Sequence, residues 1–133
     1  MPYDVAIDRK NRILRARFHG HVTEDDLAHF VRNGHKHVPT PGPVAAIVDM
    51  SGASSFDVSA ATIGLFAKVP PIIPDPNMVR LIIAPSGEVY GMSRMFELQA
   101  EHIHPNLHVV QSEREAWAIL AVQTPQFEPL EFE

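Results

Sequence analysis

At 133 residues, with 45% hydrophobic and 20% charged residues, the chain has room for one globular domain and the composition to give it a core. The absence of cysteine excludes disulfide staples, thiol catalysis and thiolate metal sites, and fits a reducing cytoplasm. A formal charge of -5 argues against nucleic acid or an anionic membrane surface as the main partner, and no apolar run reaches the roughly 20 residues of a membrane span. Met1-Pro2-Tyr3-Asp4 shows no charged stretch followed by an apolar one, so it does not read as a signal peptide.

Tyr3, Val5 and Ile7 alternate with Asp4, Ala6 and Asp8, the period of a half-buried strand. After the polar turn Asp8-Arg9-Lys10-Asn11, Leu14, Ala16 and Phe18 alternate with Arg15, Arg17 and His19, which predicts an antiparallel hairpin ended by Gly20. Its basic residues read as a solvated face. Thr23-Glu24-Asp25-Asp26 has the chemistry of a helix start, with an oxygen for a first-turn amide and acids at the positive end of the dipole. Leu27, Phe30 and Val31 follow at helical spacing, and Gly34 and the Pro39–Pro43 stretch stop that helix.

Val44 to Val48 is apolar on both faces, as in a central strand, and breaks at Asp49-Met50-Ser51-Gly52. A second helix is predicted over 58–69. The four prolines 70, 71, 74 and 76 then exclude helix and central strand alike. Val79 to Ala84 reads as a buried strand, Pro85-Ser86-Gly87 opens a third helix, and Val109-Val110 marks a short last strand. Ser112 and Glu115 stand at capping-box spacing before a fourth helix. The expected fold is α/β, with a mixed sheet of about five strands and four main helices over residues 1–122. A tail, 123–133, is acidic and broken by proline but carries Phe127, Leu130 and Phe132. It is expected to dock on the body or on a second subunit, and a homodimer is one expectation.

A hairpin followed by alternating helices and buried strands resembles the STAS fold of bacterial anti-sigma-factor antagonists. The resemblance is carried by Asp49-Met50-Ser51-Gly52 and Phe56-Asp57-Val58-Ser59. In that family a strand ends in an Asp-Leu-Ser-like turn, and an Asp-Ser-Ser-Gly motif then opens a helix whose second serine a partner kinase phosphorylates. Asp57 takes the acidic position and Ser59 the phospho-acceptor position, while Val58 and Ala60 replace the first serine and the glycine. The stretch Tyr90-Gly91-Met92-Ser93-Arg94-Met95-Phe96-Glu97 is similar to a looser bacterial branch grouped with STAS and CRAL-TRIO lipid-transfer domains. Tyr90 and Arg94 therefore join the candidate binding residues.

The segment from Asp49 to Ser59 lies where open α/β sheets place ligands, beyond the carboxyl ends of the strands. A helix opening near Asp57 and Ser59 offers free amides to a phosphate or a partner's carboxylate; the plainer role is Asp57 as cap with Ser59 in the first turn. Ser86 and Gly87 invite the same two readings. The eight histidines include His19 and His21, His35 and His37, and the group His102, His104 and His108. No carboxylate completes a metal site, so they read as surface and loop histidines, with proton sensing by the last group as the alternative. No Gly-x-Ser-x-Gly elbow or phosphate-binding glycine loop occurs. Val69 to Pro74 places Ile72 and Ile73 outside the sheet, as a lid on a pocket, a protein contact or a loop folded on the core.

The leading expectation is a non-enzymatic regulatory or protein-interaction module without a cofactor. Its contact surface would be the 49–59 loop, with Asp49, Ser51, Asp57 and Ser59, and the start of the following helix, switched by charge at Ser59. The alternative is a carrier or sensor of a small apolar, lipid-like molecule under residues 69–78. A metal-assisted enzyme using histidines is the third reading.

Overall fold

The computed structural model describes residues 3–38, 42–85 and 87–130, without the side chains of His35 and His37. β1 (Tyr3–Asp8) and β2 (Ile13–Thr23) pair antiparallel, with Tyr3 opposite Phe18 and Asp8 opposite Ile13, so the alternating apolar residues of both share one face. Their turn is held by Asp8, a buried carboxylate that accepts from the Asn11 backbone at 3.1 Å and from its side-chain amide at 2.7 Å. Gln126 of the tail donates its amide to the same carboxylate at 3.2 Å.

β3 (Ala45–Asp57), β4 (Val79–Ile83) and β5 (Leu107–Val110) continue the sheet parallel to β2, and β6 (Glu128–Leu130) lies antiparallel beside β1. Among the described residues the six strands run in the order β5-β4-β3-β2-β1-β6. Because the order from β2 to β5 never reverses, crossovers of a single hand put their helices on one face. α1 (Glu24–Asn33), α2 (Ala60–Ala67) and α3 (Gly87–Gln99) accordingly share a core with Val5, Ala16, Phe18 and Met50. α4 (Glu113–Leu120) covers the opposite face, where Ala116 and Trp117 meet Ile47, Leu81 and Ile83. Covered on both sides, β3 and β4 carry apolar residues at consecutive positions. Among the described residues no helix is long and apolar enough to cross a membrane.

The α/β class, the N-terminal hairpin and the four α-helices are as expected, and the sixth strand comes from the tail. β6 has three residues, one of them Pro129, which only an edge strand tolerates; a segment so short shows no alternation to read. Just before it, Phe127 lies 6.1 Å from the Trp117 ring and beneath the Arg15 guanidinium, 4.1 Å from its centroid. The tail therefore docks on the body of its own chain.

Two strands run further than their composition suggests. β2 continues through Gly20 to Thr23, and β3 continues through the expected break at 49–52 as far as Asp57. Residues 49–59 are thus largely strand rather than loop. The extension survives because Val22 and Phe56, opposite one another in the ladder, are both buried. Register shifts between Arg17 and His19 and between Gly20 and His21, with Gly20 at φ 74°, absorb the mismatch. The exposed polar residues Ser51, Gly52, Ser54 and Ser55 are the outer side of this ribbon, which is why the segment reads as a loop. α2 is shorter than the expected 58–69, because Val58 is buried as part of the approach and Ser59, not Asp57, caps the helix.

Candidate functional site

The segment 69–78 crosses the α1–α3 side of the sheet as an irregular strap. Its prolines leave it without ladder partners; the Ile73 and Asp75 carbonyls accept from the Asp75 and Met78 amides within it, and further donors come from outside. Arg80, on the strap side of β4, supplies them. Nη1 donates to the carbonyls of Met78 at 3.1 Å and Pro105 at 2.9 Å, and Nη2 to those of Ile73 at 2.6 Å and Asp75 at 2.8 Å. The Asn106 side chain donates to the Pro76 carbonyl at 3.0 Å, and His104 Nε2 lies 2.7 Å from the Val69 carbonyl. A ring nitrogen facing a carbonyl carries its proton there. Burial holds the His104 pKa below its ordinary 6.5, helped by the Arg80 charge and opposed by the bond to Val69, so the ring is a neutral donor at pH 7.

Beneath the strap lies a cavity of about 220 Å³. Ala16, Val48 and Ile82 of the sheet form its floor, Phe30, Phe66 and Phe96 of the three helices its walls, and Val69 to Ile73 its cover. The polar side chains in its lining, among the described residues, are those of Arg80, Ser93 and His104. Gly34 marks how closely the cover is fitted: a Cβ there would lie 2.9 Å from Ile72 Cδ1. A void of about 150 Å³ holds benzene, so by proportion this one of about 220 Å³ accommodates roughly nine non-hydrogen atoms.

Ile72 and Ile73 both line this space and are partly buried, so they form a cover rather than an exposed knuckle. Tyr90 packs against the same core without reaching the cavity, and Arg94 is ion-paired with Glu97 at the helix surface. Ser86 lies outside the described residues. No protein-family model matches the chain, and no curated protein is significantly similar to it. Function is therefore to be read from this geometry and from the second group of candidate residues, Asp49, Ser51, Asp57 and Ser59.

That second group does not converge. Asp49 is fully buried on the α4 side of the sheet, where its carboxylate accepts from Arg17 Nε at 3.1 Å, the Ser51 amide at 2.9 Å and the Ser51 hydroxyl at 2.6 Å. Arg17 also reaches Glu113 at 3.1 Å, tying β2 and β3 to α4. Ser59 lies at the start of α2, on the other side. Its hydroxyl accepts from the Thr62 amide at 3.2 Å, and its own amide and hydroxyl both donate to Glu24 Oε2 at 3.0 Å. The anion expected at this helix start is already supplied by α1. Hydrogen bonds from Thr62 and Ser59 hold the Glu24 carboxyl below its usual range, so it stays charged there. Asp57 is exposed near a shallow polar groove of about 360 Å³ formed with His21, Ser54, Ser55 and Glu88. That groove is larger in volume but open and polar; the smaller cavity is the better enclosed.

The histidines also separate. His102 and His108 are exposed while His104 is partly buried, and among the described residues no three His, Cys, Asp or Glu stand close enough to hold a metal ion. Sequence reasoning passed over Arg80 and Ser93. A single arginine inside the apolar run Val79–Ala84 was the available signal, since a charge in a buried strand needs a reason to be there. Ser93 carried none beyond sharing a helical stripe with Val89 and Phe96.

Proposed function

We propose that the protein binds a small apolar or amphipathic molecule in the cavity beneath residues 69–78, as its carrier or sensor. The apolar cavity of about 220 Å³ is the observation that supports this most directly. Protein interiors are otherwise packed like organic crystals, with few voids larger than a water molecule. At about 24 cal/mol per Å³, an empty void of this size costs up to about 5 kcal/mol. The cost is lower where solvent reaches the rim, and an occupant that fills the space recovers it. The cover is proline-rich and pinned through its backbone rather than through the sheet, so it is the part of the wall able to move without breaking a ladder.

Native mass spectrometry of freshly purified protein tests the proposal. An added mass that disappears on denaturation is expected, as is uptake of the fluorescent apolar probe 1-aminoanthracene. Ala46→Leu, which extends a side chain into the cavity from β3, should abolish probe binding. A bare chain that also ignores the probe would overturn the proposal.

A second reading keeps the STAS-like interaction module, now centred on the exposed outer ribbon of β2 and β3. Its support is the polar groove lined by Ser54, Ser55, Asp57 and Glu88 at the end of the sheet. In this reading a protein partner docks across the ribbon, and Ser55→Arg should change what immobilised protein captures. Identical captures by wild type and variant would count against it.

A further inference from the structure

The three polar side chains in the cavity wall are not equivalent. His104 is committed to the Val69 carbonyl and packs edge-on against Phe96, 5.2 Å between ring centroids. Arg80 is 7% exposed, and each partner of its terminal nitrogens is an uncharged carbonyl. Those bonds satisfy the hydrogens of its terminal nitrogens, but among the described residues no carboxylate forms an ion pair with it. Asp75, the carboxylate whose charge is felt at Arg80, is itself exposed and accepts from the Asn77 amide at 2.9 Å. Ser93 is 8% exposed, and its hydroxyl makes no hydrogen bond among the described residues. A hydroxyl facing an apolar cavity without a partner costs up to about 1–3 kcal/mol, and a buried charge without a counter-ion costs several kcal/mol.

Building on the proposed cavity-binding role, we infer that the ligand is an amphipathic monocarboxylate whose head meets Ser93 and the Arg80 charge while its apolar body fills the remaining space. A carboxylate corrects both defects at once: it accepts from the Ser93 hydroxyl and balances one positive charge with one negative charge. An alcohol of equal length satisfies Ser93 and leaves Arg80 uncompensated. An ammonium is repelled by Arg80. A phosphate brings more charge and more acceptor oxygens than one free hydroxyl and one guanidinium can meet. The available volume fits a chain of about seven or eight carbons, the carboxylate carbon included.

Calorimetric titration of the full chain with octanoate, 1-octanol and octylammonium separates these cases, because the three share one apolar body. Octanoate is expected to bind at least about tenfold more tightly than octanol, with octylammonium weakest. Ser93→Ala should weaken octanoate by about fivefold while leaving the fold unchanged by circular dichroism. Equal affinity for octanoate and octanol, tighter binding of octylammonium, or no effect of Ser93→Ala would each overturn the carboxylate inference while leaving the cavity as a binding site. Failure of all three to bind, together with failure of 1-aminoanthracene, would instead remove the cavity-binding role itself.

Discussion

Replacing Arg80 by Met removes the group that fastens the strap. The guanidinium makes four hydrogen bonds to backbone carbonyls, at 2.6 to 3.1 Å. Bonds to a charged donor contribute about 1.5–3 kcal/mol each, but they share one rigid group and do not add. Against their loss stands the removed cost of keeping a charge out of water, several kcal/mol for a buried ion. The carbonyls decide the balance: those of Ile73 and Asp75 keep the strap amides of Asp75 at 2.9 Å and Met78 at 3.2 Å, whereas those of Met78 and Pro105 lose their donor. We expect a net loss of about 3 kcal/mol, at about 1–3 kcal/mol for each of the two carbonyls left without a donor. With a urea slope of about 2 kcal/mol/M, the unfolding midpoint should fall by about 1.5 M. Arg80→Lys keeps the charge but offers three donors from a single nitrogen, and should lose about half as much. Hydrogen exchange locates the damage: the Asp75 and Met78 amides, bonded within the strap to Ile73 and Asp75, should lose protection before the sheet does. A midpoint change below about 0.3 M for Arg80→Met would refute the reasoning.

Tyr3 is buried, and burial first, with the Asp26 charge second, pushes its phenol up to about 12 from the ordinary 10.0. Its neutral form is thus favoured by folding, a contribution complete below pH 10 and lost as pH rises toward 12; ultraviolet titration of wild type against Tyr3→Phe should show the late phase. Burial alone would raise the Asp8 carboxyl, but hydrogen bonds from Asn11, Gln126 and Lys10 outweigh it and leave the pKa below 3.8. Stability from Asp8 is therefore full above that pH and lost as pH falls through the lower folded value, so Asp8→Asn should flatten the acid limb of urea midpoints. Ser59→Ala should cost about 1 kcal/mol as a lost cap, and Ser59→Asp should cost more, because it sets a second carboxylate against Glu24; Glu24→Gln should relieve the excess in denaturant titrations. Gly34→Ala places a methyl against Ile72, at 2.9 Å, and should weaken 1-aminoanthracene uptake with little change in secondary structure by circular dichroism.

Most of the architecture was legible because its signals are local. Alternation in Tyr3–Phe18 gave the hairpin, double-sided apolar runs gave β3 and β4, and Thr23 and Ser112 marked two helix starts. Thr23 forms the reciprocal box with Asp26, whereas Glu115 reaches past Ser112 to the Gln111 amide at 2.8 Å. What failed were segments whose state is set by partners far along the chain. Ser51–Ser55 has the composition of a turn but is strand because 19–23 pairs with it. Pro129 looks incompatible with a sheet and is admitted because its strand lies outermost. Asp49 and Ser59 are ten residues apart in sequence and fall on opposite sides of the sheet, which no spacing argument reveals. The Ile72–Ile73 segment was visible as a candidate lid, but the space beneath it depends on side chains from three helices and five strands. Arg80 shows the same limit: its role is defined by carbonyls of the strap and of Pro105, none of them a sequence motif.

The strand order has a bearing on self-association. At one margin of the sheet Pro129 has no amide hydrogen to offer an incoming strand, and Glu128 is salt-bridged to Arg9. The opposite margin, β5, is four residues long, and Glu97 of α3 takes its Val109 amide at 3.3 Å. Both margins are thus blunted against an incoming strand, one by proline and an ion pair, the other by shortness and a side-chain carboxylate, which guards the sheet against edge-to-edge aggregation.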